Sequence, residues 1–79
     1  MKTVKVSINS IDKVKTFVHE INQYDAEFDL VSGRYVIDAK SIMAIFSLDI
    51  SKPIDLNIYA DGTLLDEILT KLESYIVTE

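Results

Sequence analysis

The chain has 79 residues, 48% of them hydrophobic, and it carries a net charge of −5 with no cysteine and one histidine. This apolar content suits a globular protein, and we expect one domain spanning residues 1–79. The composition excludes a disulfide framework and argues against a zinc site, so no metal and no cofactor are expected. An acidic chain also lacks the basic face that nucleic acids and anionic membranes require. No signal peptide or membrane span is visible, which indicates a cytoplasmic protein.

The N-terminal third predicts a strand followed by a helix. Apolar and polar residues alternate along a half-buried strand that contains Val4, Val6 and Ile8. The Asn9-Ser10 pair can then cap a helix over residues 11–23. The helix has an apolar stripe at helical spacing, formed by Ile11, Val14, Phe17, Val18 and Ile21.

His19 lies off this stripe, toward the solvent side of the first helix. It has two interpretations. The first, which we favour, is an ordinary solvated helix residue, because the sequence places no cation cluster and no orienting carboxylate beside it. The second is a phosphate acceptor or general base.

The middle of the chain predicts a β-hairpin. Residues 27–31 form one strand, with Phe28 and Leu30 directed inward. Ser32-Gly33 is a tight-turn signal, since glycine can supply the positive φ that such turns need. Residues 34–38 then form the returning strand.

The stretch over residues 40–48 predicts a short second helix. Ser41 precedes the apolar run and suits the N-cap, where its hydroxyl can accept a hydrogen bond from a first-turn N–H. So short a helix must be held by packing. If the core-facing side chains are those of Ile42, Ile45 and Leu48, then Met43 and Phe46 lie partly in solvent and offer a docking patch. The alternative is that Met43 and Phe46 are both core residues.

The last third predicts a fourth strand and a third helix. The inward residues of the strand are Ile54, Leu56, Ile58 and Ala60. Asp61-Gly62 turns the chain, and Thr63 caps the helix with Asp66 three residues on. The apolar stripe of the helix contains Leu65, Ile68, Leu69, Leu72 and Ile76.

The predicted order of elements is therefore β-α-β-β-α-β-α. Strands with one apolar and one polar face indicate an antiparallel sheet that is covered on one side only. The expected fold is α+β, a two-layer open-faced sandwich with a four-stranded antiparallel sheet and three helices on one face. The nearest competitor is a ferredoxin-like fold, which has the same elements without the last helix.

Several segments together resemble the HPr family, the histidine-containing phosphocarriers of the bacterial sugar phosphotransferase system. The resemblance covers nearly the whole chain and implies an HPr-like fold. The matching segments are Lys2-Thr3-Val4-Lys5-Val6, Tyr24-Asp25-Ala26-Glu27, Lys40-Ser41-Ile42-Met43 with Ser47-Leu48, Ala60-Asp61-Gly62, and Leu69 to Glu73. The third of these is the most specific, since it resembles the regulatory-serine motif of the family.

The segment before the first helix departs from this family. The family carries Gly-(Ile/Leu)-His-Ala-Arg-Pro-Ala there, and its histidine takes a phosphoryl group from enzyme I. Counting back from Tyr24 without gaps, Ser10 stands in the histidine position, Asp12 in the arginine position and Lys13 in the proline position. A serine has no imidazole nitrogen for a transferable phosphoramidate, and Asp12 would repel the phosphoryl group. We therefore expect a degenerate phosphohistidine site at Ser10, Asp12 and Lys13.

The regulatory serine of the family has a counterpart in Ser41. The resemblance implies that an ATP-dependent serine kinase phosphorylates Ser41. It also implies that the modified form binds a transcriptional regulator of carbon use through Ile42, Met43 and Phe46. Three glycines of the family are replaced here, by Ala44, Asp49 and Pro53. The alternative is that Ser41 serves only as a helix cap.

The leading hypothesis is an HPr-like protein that has lost the phosphoryl-accepting histidine. It would be no enzyme, but a regulatory or adaptor protein that meets its protein partners through the Ser41 helix. One alternative is an active phosphocarrier that uses His19 in a rearranged site. Others are an interaction or structural domain without phosphorylation, and a small-ligand-binding ferredoxin-like domain. The exposed sheet edges also leave self-association open.

Overall fold

The computed structural model describes residues 1–77, and the seven elements follow the predicted order. The strands and helices are β1 (Lys2–Val6), α1 (Ile11–Ile21), β2 (Glu27–Ser32), β3 (Tyr35–Asp38), α2 (Ile42–Ile45), β4 (Ile54–Tyr59) and α3 (Gly62–Lys71). The α+β open-faced sandwich is confirmed. No helix among the described residues is long and apolar enough to cross a membrane.

The four strands form one sheet in the order β1-β4-β2-β3, and every pairing is antiparallel. The register places Val4 opposite Leu56 and Leu30 opposite Leu56, so apolar residues of three strands lie side by side. A ferredoxin-like fold has the element order β-α-β-β-α-β and ends with its fourth strand. Here β4 is followed by α3 (Gly62–Lys71), which packs on the core, so the competing fold is excluded.

The core lies between the sheet and the three helices. Alternation along each strand sends one set of side chains into this layer and leaves the other set in solvent. The fully or almost fully buried residues are Val6, Ile8, Val14, Phe17, Ile21, Phe28, Leu30, Ala39, Ile45, Ile54, Leu56, Ile58, Ile68 and Leu72. They belong to β1, β2 and β4, to α1, α2 and α3, and to the residues next to these elements. Ile45 of α2 is among them, so packing holds this short helix in place.

The opposite, uncovered face of the sheet is polar and acidic. Cross-strand contacts join Thr3 Oγ1 to Asn57 Oδ1 at 2.7 Å and Lys5 Nζ to Asp55 Oδ1 at 3.0 Å. The Tyr59 hydroxyl donates a hydrogen bond of 2.8 Å to Asp29 Oδ2. That carboxylate acceptor raises the pKa of Tyr59 above its ordinary value.

The Tyr59 bond gives a titration that can be measured. We expect Tyr59 to ionise above the ordinary tyrosine pKa of about 10, because deprotonation removes the bond and places two negative charges together. This contribution to stability is present below the unfolded-state pKa and is lost as the pH rises through the folded-state pKa. Tyrosinate absorbance followed against pH should lose its late step in Tyr59→Phe. The step should move to lower pH in Asp29→Asn but not in Asp55→Asn.

The residues after α3 return to the sheet and cover the C-terminal end of the outer edge of β1. The Ser7 N–H donates to the Tyr75 carbonyl and the Val77 N–H to the Lys5 carbonyl, each at 2.8 Å. The Tyr75 ring meets the Phe17 ring edge-on, with ring centroids 5.5 Å apart, and its hydroxyl donates to Thr16 Oγ1 at 2.8 Å. This C-terminal segment, residues 75–77, occupies one of the two edges of the sheet.

The hairpin between β2 and β3 turns at Gly33, as predicted. Ser32 pairs with Tyr35, so the loop is Gly33-Arg34. Gly33 has φ +60°, and within residues 1–77 no residue other than glycine has a positive φ. A positive φ at the first loop position alone is typical of a type II′ turn, in which glycine avoids the steric cost that a Cβ would bring.

The ends of the helices differ from the predictions. α1 ends at Ile21 instead of residue 23, and Ile11 is 60% exposed instead of buried. Side chains of a helix lean toward its N-terminus, so a first-turn residue reaches past the layer on which the helix packs. α3 begins at Gly62 with Asp61 as N-cap, so the predicted cap at Thr63 is wrong.

The apolar stripe of α3 is only partly buried. Ile68 and Leu72 are fully buried, whereas Leu65, Leu69 and Ile76 are half-buried and pack against the rim of the core. The two fully buried residues lie in the C-terminal half of α3 and at its C-cap, so α3 contacts the core mainly at this end.

Candidate functional site

Ser41 stands at the N-cap of α2 in an extended conformation, with φ −93° and ψ 102°. Its carbonyl accepts the first helical hydrogen bond from the Ile45 N–H at 3.1 Å. Its hydroxyl makes no capping bond, so the predicted side-chain cap is absent. The Ser41 hydroxyl is therefore not committed to the helix that it precedes.

The segment before α2 is fixed by polar contacts to the sheet. Asp38 Oδ1 accepts the Lys40 N–H at 2.9 Å, and the Asp38 carbonyl accepts the Ser41 N–H at 3.0 Å. The Lys40 ammonium donates to the Tyr24 carbonyl at 2.9 Å and lies 5.6 Å from the centre of the Phe28 ring. Sequence reasoning missed this anchoring. The local signal for it is Asp38 itself, because an aspartate side chain often accepts a hydrogen bond from the backbone N–H two residues later.

The α2 patch, which we define as Ile42, Met43 and Phe46, lies beside Ser41. Met43 is 78% exposed and Phe46 is 40% exposed, so the alternative that both are core residues is wrong. Ile42 is half-buried and packs against the core, while Ile45 is fully buried. A helix of four residues has one inward side, and Ile42 and Ile45 occupy it. Met43 and Phe46 consequently face solvent.

The end of α2 is closed by a short polar turn. Ser47 Oγ donates to the Ala44 carbonyl, and Asp49 Oδ1 accepts both the N–H and the hydroxyl of Ser51. These bonds from Ser51 lower the pKa of Asp49, because they favour its charged form. The hydroxyl of Ser47 thus has a partner, in contrast to that of Ser41.

Ser10 is the N-cap of α1. Its hydroxyl accepts a hydrogen bond of 3.2 Å from the Lys13 N–H, and its carbonyl accepts the Val14 N–H at 3.0 Å. Asp12 lies in the first turn, where a negative charge suits the positive end of the helix dipole. Asp12 and Lys13 are both exposed.

The structure does not bring His19 to this helix end. His19 is exposed in the last turn of α1, and Ser10 lies about 13 Å away along the axis at the α-helical rise. The Nε2 atom of His19 lies 3.3 Å from Nε2 of Gln23. Across residues 1–77 no three histidine, cysteine or carboxylate side chains are grouped so as to hold a metal ion.

A family model described as "PTS HPr component phosphorylation site" matches residues 12–78. The chain belongs to the HPr family. The matched residues include α2 with Ser41 and exclude Ser10, which lies two positions before the match begins. The family predicted from the Lys40-Ser41-Ile42-Met43 motif is thus confirmed.

Individual relatives agree with this family. The HPr-family chain is 33% identical over 63 residues to the HPr-like protein Crh of Bacillus subtilis, covering 80% of this chain and 74% of that protein. It is similar in fold to HPr-C-His from Thermoanaerobacter tengcongensis, with a TM-score of 0.72, 23% identity and coverage of 94% and 93% of the two chains. A Mycoplasma histidine-containing phosphocarrier protein gives a TM-score of 0.67 at 14% identity, with coverage of 92% and 86%.

The two cap serines of this HPr-family chain should differ in their effect on stability. Ser10→Ala is expected to lower the free energy of unfolding by about 1 kcal/mol, because it removes a capping bond to an N–H that has no helical partner. Ser41→Ala should cost less than about 0.5 kcal/mol, since the Ser41 hydroxyl makes no such bond. Urea denaturation followed by circular dichroism measures both. A larger loss for Ser41→Ala would contradict the described cap geometry.

Proposed function

We propose that this HPr-family protein no longer relays phosphate from enzyme I and acts as a regulatory or adaptor protein through the Ser41 helix. In this proposal residues 1–79 form a single HPr-like domain in the cytoplasm. The protein is not an enzyme. A serine kinase modifies Ser41, and the modified form meets a transcriptional regulator. The observation that carries the proposal is a contrast between two N-cap serines. The hydroxyl of Ser10 accepts a capping hydrogen bond, whereas the hydroxyl of Ser41 makes none.

The loss of phosphate relay is supported by the residues at the start of α1. The hydroxyl of Ser10 is occupied by the Lys13 N–H, and a serine phosphate ester would not transfer its phosphoryl group as a phosphoramidate does. The carboxylate of Asp12 lies in the first turn of α1, where it would repel an incoming phosphoryl group. His19 lies at the far end of the same helix, bonded to Gln23.

Phosphorylation of Ser41 is supported by its surroundings. The hydroxyl makes no capping bond, and the first turn of α2 contains no acidic residue that would repel a phosphate. A phosphoserine adds a charge of about −2 at neutral pH, and the N-terminal end of a helix tolerates it through free N–H groups. The anchoring of Lys40 and Asp38 to the sheet holds the peptide on the N-terminal side of Ser41 in place.

Partner contact through the α2 patch is supported by the exposure of Met43 and Phe46. Both side chains lie on the one turn of α2 and together form an apolar surface. The other exposed large apolar residues within the described part of the chain, all outside α2, are Met1, Ile11, Tyr35, Val36 and Tyr59. The patch lies directly after Ser41, so a partner could read the phosphate and the apolar side chains together. Methionine and aromatic residues are enriched at such interfaces.

Two phosphoryl donors test the proposal. The purified protein is incubated either with enzyme I and phosphoenolpyruvate or with the serine kinase of the family and ATP, and intact mass reports the product. We expect no acid-labile phosphate from enzyme I and one acid-stable phosphate from the kinase. A histidine-containing HPr serves as the positive control for enzyme I. Peptide mapping should place the kinase product on Ser41.

Two serine variants make the assignment specific. Ser41→Ala should abolish labelling by the kinase, whereas Ser47→Ala, at the other end of α2, should leave it unchanged. Acid-labile phosphate from enzyme I would overturn the loss of relay, and its disappearance in His19→Ala would then identify a rearranged phosphocarrier site. If the kinase leaves Ser41 unmodified, the regulatory role fails and an interaction domain without phosphorylation is favoured.

A further inference from the structure

The two edges of the sheet are treated differently by the fold. The outer edge of β1 is covered by the C-terminal segment, which bonds to Lys5 and Ser7. The outer edge of β3 has no covering strand within residues 1–77, because β3 is the last strand in the sheet order. An uncovered edge presents unpaired backbone N–H and C=O groups that can pair with another strand. Within residues 1–77, the C-terminal segment covers one end of β1, whereas no described strand lies beside any part of β3.

The hairpin geometry shows which groups face outward. In a two-residue hairpin the residues that flank the loop, Ser32 and Tyr35, form a hydrogen-bonded pair. Bonded and non-bonded pairs alternate along an antiparallel ladder. Val36, which lies opposite Val31, therefore directs its own N–H and C=O away from β2.

The side chains of β3 favour pairing. Tyr35 is 69% exposed and Val36 is 62% exposed, and tyrosine, valine and isoleucine are strong strand formers. Natural edge strands are commonly guarded by lysine, proline or a bulge. None of these occurs between Tyr35 and Asp38. The charges lie only at the two ends, with Arg34 before the strand and Asp38 at its end.

We propose that β3 pairs antiparallel with β3 of a second copy of this chain, about a two-fold axis that passes through Val36. At this register Val36 of each copy exchanges its backbone hydrogen bonds with Val36 of the other. Tyr35 lies opposite Ile37 of the second copy, an aromatic and β-branched pair that stabilises a sheet. Arg34 lies opposite Asp38 of the second copy on both sides of the axis, and Asp38 keeps its Oδ1 bond to the Lys40 N–H and meets Arg34 through Oδ2.

The charges of Arg34 and Asp38 favour a second copy of this chain as the partner of the β3 edge, and they favour this register. A strand that is positive at one end and negative at the other is its own complement when it is reversed. Shifting the register by two residues keeps Val36 facing the partner strand but separates Arg34 from Asp38. The net charge of −5 makes whole molecules repel one another, so we expect a weak dimer that forms only at high protein concentration. The paired sheets would have eight strands and would present α2 twice.

Sedimentation equilibrium of the full chain tests this dimer. At about 0.15 M salt, where long-range repulsion is largely screened, the average mass should rise with concentration from 8.9 kDa toward twice that value, approaching it near millimolar protein. Arg34→Asp and Asp38→Arg should each remain monomeric, since each places like charges opposite one another. An equimolar mixture of these two variants should associate again, because it restores both opposite-charge pairs.

A second pair of variants leaves the Asp38 contacts untouched. Val36→Lys places two ammonium groups at the two-fold axis and should abolish association, while Val36→Thr keeps a strand former and should retain it. Circular dichroism confirms that each variant is folded. A wild-type chain that stays at 8.9 kDa up to millimolar concentration would overturn the proposal. Association that persists in both Arg34→Asp and Val36→Lys would place the interface elsewhere and would overturn it as well.

Discussion

Replacing Phe17 with alanine is expected to lower the free energy of unfolding by about 3–5 kcal/mol. Phe17 is fully buried at the centre of α1 and meets the Tyr75 ring edge-on. The substitution therefore opens a cavity between α1 and the sheet and also removes an aromatic pair that holds the C-terminal segment. Urea denaturation followed by circular dichroism measures the loss.

The size of the protein makes this loss decisive. At about 0.05–0.15 kcal/mol per residue, a 79-residue domain has a stability of about 4–12 kcal/mol. Phe17→Ala would remove a large fraction of this free energy of unfolding. If the wild-type stability lies near the lower end of the range, a substantial fraction of the variant would be unfolded. Met43→Ala is the matched control, since a side chain that is 78% exposed should cost less than about 0.5 kcal/mol. Equal losses in the two variants would contradict the described core.

The second large effect concerns partner binding and rests on the proposed function. In the protein phosphorylated at Ser41, Met43→Asp should weaken binding to the transcriptional regulator by about 10- to 100-fold. This corresponds to about 1.4–2.7 kcal/mol, the range of an interface residue that contributes strongly. Phe46→Ala should weaken binding about 10-fold. Isothermal titration calorimetry of the phosphorylated proteins against the regulator measures both affinities.

The control for this experiment is an exposed apolar residue outside α2. Tyr35→Ser removes a ring that is 69% exposed at the start of β3, and it should leave the affinity for the regulator unchanged. Unfolding measurements on all three variants separate a lost contact from a lost fold. If Met43→Asp and Phe46→Ala bind as tightly as the unsubstituted phosphoprotein, the α2 patch is not the interface.

Much of the fold could be read from strand periodicity. The alternation at Phe28 and Leu30, and at Leu56 and Ile58, has a period that only a half-buried strand satisfies, and these residues are buried as predicted. Periodicity indicates which face of a strand is inward but not which strand lies beside it. The pairing of β1 with β4, and of the C-terminal segment with β1, consequently could not be predicted from the same pattern.

Helix ends were harder to predict because capping residues cluster. Asp61 and Thr63 are both good N-cap residues, separated by one glycine. The favourable apolar run after Thr63 pointed to the later start. In the structure the first helical hydrogen bond runs from the Leu65 N–H to the Asp61 carbonyl, so Asp61 is the N-cap. Gly62, the next residue, has a φ of +59°, which glycine adopts most easily.

The candidate site was predictable in position more than in detail. The motif around Ser41 was enough to place a short helix with an N-cap serine, and the structure has both. The motif does not encode the orientation of a hydroxyl, which depends on whether the first turn offers a suitably directed N–H. The exposure of Met43 likewise depends on the helix having only one turn, and sequence spacing alone left both outcomes open.

The bonds between residues 5–7 and 75–77 close a loop that contains nearly the whole sequence. Closing a loop costs entropy, and contacts between residues so far apart in sequence form after local ones. The contact between the two ends should therefore assemble late. When these end-to-end hydrogen bonds open, they expose the outer backbone N–H and C=O groups of β1. The sheet then has, for a short time, a second edge that can pair with another strand.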